Sequence, residues 1–165
     1  MKVKQIASVV ILGGLFGFAS VQAASISTTF GVSANVLSTC STVTATALNF
    51  SDYDPLSGAD KDASTTIDVT CSNGTPFIVK LGGGVNGNIT QRKLKEDAGS
   101  DELNYNLYTD ASRSTVWGDG STGQTVNGSG TGSAVQETVY GRVAGGQNSK
   151  AAGSYSDTIT VTVDY

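Results

Sequence analysis

Apolar and polar residues alternate with a period of two along much of the chain beyond residue 25. Ile26, Thr28, Phe30, Val32, Ala34 and Val36 fall on one face of an extended segment, with Ser27, Thr29, Gly31, Ser33 and Asn35 on the other. That spacing predicts a strand over 26–36 with one face to bury. A short strand is expected at Ala47–Phe50, then a turn at Asp52-Tyr53-Asp54-Pro55. Thr65–Cys71 puts Ile67, Val69 and Cys71 on one face, and Ser72-Asn73-Gly74-Thr75-Pro76 supplies turn chemistry. Phe77, Val79 and Leu81 alternate with Ile78 and Lys80, a strand apolar on much of both faces that Gly82-Gly83-Gly84 ends. Leu103, Tyr105 and Leu107 mark another strand, and Thr138–Val143 a further one. The last segment leads from Ser154, Tyr155 and Asp157 into Ile159, Val161, Val163 and Tyr165, one apolar face that runs to the final residue. Helical spacing is weak and confined to Ala59–Ala63 and the neighbourhood of Arg92–Ala98. Many short strands with Gly, Ser and Asn turns predict an all-β, antiparallel β-sandwich.

The N-terminus departs from this pattern. Lys2 and Lys4 precede an uncharged, mostly apolar run over Ile6–Ala19, and Val21-Gln22-Ala23 offers a cleavage site. Residues 1–23 therefore read as a secretory signal peptide. The run is shorter than the ~20 residues a membrane-spanning helix needs, and no second long apolar run follows. The mature chain is thus expected to be exported without a membrane span. Export decides how the two cysteines are read. Cys40 and Cys71 lie far from a C-x-x-C spacing and are the only pair available to an oxidising compartment, so a structural disulfide is expected. Closing a loop of that length contributes on the order of 3–4 kcal/mol by restricting the unfolded chain.

Composition narrows the chemistry. The 165 residues fit one domain, and 21 glycines against 15% charged residues favour strands and loops over helices. The net charge is −4, and without Lys2 and Lys4 it becomes −6, with 8 basic residues against 14 acidic ones. A nucleic-acid partner needs the opposite sign. The absence of histidine excludes a Ser-His-Asp triad and a His-ligated zinc site, and two cysteines cannot form an all-thiolate one. Gly118, Gly120 and Gly123 form a G-x-G-x-x-G, but the Gly/Ser/Asn-rich residues up to Gly132 cannot supply the helix that a dinucleotide site requires, and a mobile loop is expected there. Asp52, Asp54, Asp60 and Asp62 lack EF-hand spacing and read as turn residues. No cofactor, metal or catalytic site is expected, and the chain is read as not an enzyme.

A series of landmarks then stands in order. Leu48-Asn49-Phe50 and Tyr53-Asp54-Pro55 follow Cys40, and Ile67-Asp68-Val69-Thr70-Cys71 comes next. Arg92 and Leu94 precede Leu103–Asp110 and Val116-Trp117-Gly118-Asp119-Gly120. Tyr140-Gly141-Arg142 and a closing Gly153-Ser154-Tyr155-Ser156-Asp157-Thr158 complete the set. This resembles the spore coat protein U domain family, which includes the pilin subunits of archaic chaperone–usher pili. One departure is Ser51, where pilin relatives often carry Gly.

The resemblance implies an incomplete immunoglobulin-like antiparallel β-sandwich that lacks its seventh strand. It divides the chain into a signal peptide (1–23), an N-terminal donor strand (24–36) and a pilin domain (37–165). It implies a fimbrial subunit assembled by donor-strand exchange, supporting adhesion or biofilm formation, with a tip adhesin or a spore-coat protein of the same fold as the alternative. Its implied partners are neighbouring pilin subunits, a periplasmic chaperone and an outer-membrane usher, along a route through the periplasm to the cell surface. Ile26, Thr28, Phe30, Val32 and Ala34 would enter a neighbour's groove. Ile159, Val161, Val163 and Tyr165 would form the strand beside the chain's own groove, where the chaperone pairs first.

Overall fold

The computed structural model describes residues 22–165, so the predicted signal peptide lies outside the described residues except for Gln22 and Ala23. Two units divide between Asn35 and Val36. In the first, residues 22–35 form no strand, and Ile26 and Phe30 are about as exposed as in an open chain, at 101% and 86%. The alternation over 26–36 is present, and its large apolar residues Ile26, Phe30, Val32 and Val36 are exposed.

The second unit contains nine strands and no helix. They are β1 (Cys40–Ala45), β2 (Lys61–Cys71), β3 (Pro76–Leu81), β4 (Arg92–Glu96), β5 (Glu102–Tyr108), β6 (Val126–Ser129), β7 (Ala134–Val143), β8 (Tyr155–Ser156) and β9 (Val161–Asp164). A six-stranded sheet has the order β1-β2-β7-β5-β4-β8, a three-stranded sheet the order β6-β3-β9, and every pairing between these strands is antiparallel. The core between them is built from the alternating residues of the predicted strands: Ile67, Val69 and Cys71 of β2, Phe77, Val79 and Leu81 of β3, and Leu103, Tyr105 and Leu107 of β5. Cys40 sits opposite Cys71 in the β1–β2 register and is joined to it by a disulfide.

Five further expectations change. Ala47–Phe50 is not a strand, and the first strand is instead β1, whose residues are nearly all exposed and so carry no clear hydrophobic period. The weak helical spacing at Ala59–Ala63 and Arg92–Ala98 gives way to β2 and β4, because tertiary pairing outweighs so faint a pattern. The Gly118–Gly132 loop contains β6, which pairs with β3, and Gly128 lies where any Cβ would strike the Phe77 ring. On β3, Phe77, Val79 and Leu81 are buried but Ile78 is exposed, so only one face is apolar in use. The final segment is not one strand: β8 belongs to the six-stranded sheet and β9 to the three-stranded one, with Asp157–Thr160 crossing between them.

Candidate functional site

The sandwich is closed along one side and open along the other. On the closed side Trp117 is fully buried and its indole N–H donates to Val79 O at 3.0 Å. Arg92 is fully buried beside it. Its guanidinium donates to Gly82 O (2.7 and 2.9 Å), Trp117 O (2.8 Å) and Asn106 Oδ1 (2.6 Å), and Asn106 in turn donates to Ile89 O and Thr90 O. Burial draws the Arg92 pKa down, but these acceptors meet the charge that hydrophobic neighbours could not. Arg92 stood among the sequence landmarks. Its structural role was not legible there, because an arginine is ordinarily a surface residue.

The open side is a groove. Its inner part, about 360 Å³, is lined by Leu48, Phe50, Ile67, Leu81, Tyr105 and Ile159 among others. One lip is Ala45–Leu48 with Phe50, and the other is Asp157–Ile159 with Val161. A second cavity of about 640 Å³ shares Leu48, Phe50 and Leu94 with the first and continues it toward Tyr53, Leu103 and Tyr155. β9 borders this opening: β3 pairs with one of its edges, and no described strand pairs with the other.

Of the four residues predicted to border a groove, Ile159 and Val161 line it. Val163 is half-buried against the core, and Tyr165 is exposed. Ile159 precedes β9, in the crossing that Asp157 fixes. The Asp157 carboxylate accepts from the Tyr105 hydroxyl (2.8 Å), from the Val85 N–H (2.9 Å) and from its neighbour Thr158 N–H (2.8 Å). A Cβ at Gly84 would lie 2.1 Å from that carboxylate, so the glycine at φ +85° lets the loop close over it. Burial first, and the Asp157 acceptor second, push the Tyr105 phenol well above its ordinary range.

The opposite lip depends on a strained turn. Ser51 has φ 55°, in the left-handed region that favours glycine, and its N–H is held by Asn49 Oδ1 at 2.7 Å. The departure from Gly is thus accommodated by a local hydrogen bond. Of the aspartates read as turn residues, Asp54 accepts from Leu56 N–H and Asp60 from Gly145 N–H, whereas Asp62 lies in β2 and pairs with Arg142 of β7 at 2.7 Å. No helix among the described residues is long and apolar enough to cross a membrane.

Comparison with known proteins agrees with this architecture. A chain of the CsuC–CsuE chaperone–tip adhesion subunit complex from archaic Csu pili of Acinetobacter baumannii superposes with a TM-score of 0.55 at 24% identity, over 79% of this chain and 40% of that one. The chain therefore spans well under half the length of that solved relative, and the two share the fold. Protein U of Myxococcus xanthus is 30% identical over 174 aligned positions, which cover 97% of this chain and 96% of that protein. The profile of the Spore Coat Protein U domain matches residues 26–162, and this chain belongs to that family, one of structural rather than enzymatic proteins.

Proposed function

We propose that the chain is a structural subunit of a surface fibre, assembled by donor-strand exchange through a chaperone–usher pathway. The observation that carries this reading is the open apolar groove beside the unpaired edge of β9. An unprotected strand edge over a hydrophobic cleft invites β-strand addition. The chain also carries a candidate occupant for another copy's groove. Ile26, Phe30 and Val32 share one face of an exposed segment, and 26–36 extended spans about 35 Å. Each large side chain that enters a pocket adds ~1.5–3 kcal/mol, while Thr28 and Ala34 fill shallower positions.

On this reading residues 24–36 are the donor strand and 37–165 the receiving domain. A periplasmic chaperone supplies the missing strand first, along Ile159–Tyr165, and the next subunit displaces it at the outer-membrane usher. The signal peptide sends the chain to the periplasm, and the fibre ends at the cell surface. The resemblance to a chaperone–tip adhesion complex supports these partners by fold. The test is Phe30→Asp. Multimers that survive SDS without heating should vanish, while the variant's own domain remains folded and still accepts a wild-type strand. Normal multimers from that variant would refute the donor role.

A further inference from the structure

We infer that consecutive copies also meet body to body, with Leu56 at the mouth of one groove packed on Val36 and Leu37 of the next copy. The inference rests on the strand-exchange reading. Its starting point is the tether. Only residues 37–39 separate Val36 from Cys40, the first residue of β1, so the donor strand ends within about 14 Å of its own domain. A strand seated in a neighbour's groove therefore draws the two domains into contact.

The structure says which ends meet. The tether root is pinned at the Ser72–Thr75 turn: Thr39 N–H donates to the Ser72 hydroxyl (3.1 Å) and Ser72 N–H to Thr39 O (2.8 Å). That turn opens β3. Because β9 is antiparallel to β3, with Asp164 opposite Ile78 and Val161 opposite Leu81, β9 starts at the far end of the domain and ends near the root. A strand added antiparallel to β9 finishes at the far end. A parallel strand would bring the next copy onto the same pole from which the receiver's own Val36 and Leu37 emerge. Only the antiparallel arrangement separates the giving pole from the receiving one and lets copies add head to tail.

At the far end the groove is rimmed by Asp52, Tyr53 and Pro55, and the Tyr53 hydroxyl ties this rim to Ala144 O, just past the end of β7. Leu56 follows directly, 77% exposed, on a turn fixed by Asp54. Val36 and Leu37 are 88% and 70% exposed at the root. Leu56 at one pole and Val36 with Leu37 at the other, all exposed in a single copy, complement one another in a head-to-tail contact.

The experiment places a photoreactive benzoylphenylalanine at position 56 of the full chain in the cells that export it, and at Ile78 on the outer face of β3 as a control. Multimers should crosslink from position 56 to a neighbour's peptide containing residues 36–39 or 72–75, and position 78 should give no such product. Leu37→Asp should lower that yield several-fold while multimers persist. Multimers that form normally but crosslink from position 56 elsewhere, or not at all, overturn the contact and leave strand exchange standing. Failure of the unmodified chain to form any multimer overturns both.

Discussion

The two sides of the sandwich solve the same problem in opposite ways. On the Trp117–Arg92 side every buried side-chain nitrogen and oxygen finds a partner within the chain, and the Trp117 and Arg92 side chains reach full burial. On the Ala45–Phe50 and Asp157–Val161 side, Leu48, Ile159 and Val161 stop at half-burial around an open groove. Both sides draw on the same strands: β3 gives Val79 O to the Trp117 indole and the Leu81 side chain to the groove. The difference lies in the covering elements. Trp117 and the 82–91 loop cover one side, and the other has a lip on each edge with no strand between. On the proposed strand-exchange reading, a strand from outside fills this opening and adds to the marginal stability of a small sandwich.

Filling the open side is the strongest way to break the contrast. A variant with its own Ile26–Val36 sequence appended after Tyr165 through a flexible linker should gain several buried side chains, each ~1.5–3 kcal/mol. It should unfold cooperatively as a monomer that no longer polymerises, as read by denaturant titration and gel filtration. An unchanged unfolding midpoint would show that the groove needs no strand. Opening the closed side is the converse. Trp117→Ala should cost about 3–5 kcal/mol, from the cavity it leaves and the unpaired Val79 carbonyl, when measured in the appended-strand background. A loss below 1 kcal/mol there would mean that the closed side is no better packed than the open one.

A smaller effect is expected at the lip. Tyr105→Phe removes the hydroxyl that holds Asp157, and should cost about 1.5–3 kcal/mol, the range for a hydrogen bond to a charged group. The pH response carries a sign. The phenol's pKa is raised in the fold, so the unfolded chain ionises first, and wild-type stability should fall as pH rises above about 10. The Phe variant should show a smaller fall, since the Tyr155 phenol is raised as well. The smallest effect is at Glu137 on β7, which lies opposite Ile67 of β2 and is pushed up by burial alone. Its contribution to stability is present below about pH 4.5 and is lost as pH rises through the folded value. Glu137→Gln should therefore raise the unfolding midpoint at pH 7 and leave it nearly unchanged at pH 4. A lower midpoint at pH 7 would mean that the carboxylate has a stabilising partner.

Position-by-position alternation was enough to place β3, β5 and the 65–71 part of β2 with their inward residues, because a strand with one buried face must show a period of two. A predicted signal peptide and a lone cysteine pair were enough to predict the Cys40–Cys71 bridge. The residues quoted from Leu48 to Thr158 were enough to mark the family. Tertiary structure decided the rest. It fixed β1 and β6, whose exposed or glycine-rich residues carry no period, by the ladders of their partners β2 and β3. Sequence spacing ran unbroken from Tyr155 to Tyr165, since alternation is blind to which sheet a strand joins. The Asp157 clamp divides that run between two sheets. Arg92 reads as a surface cation until four distant carbonyl and amide oxygens, from Leu81, Gly82, Asn106 and Trp117, are brought around it. Such convergence is a property of three-dimensional packing, and no local pattern encodes it.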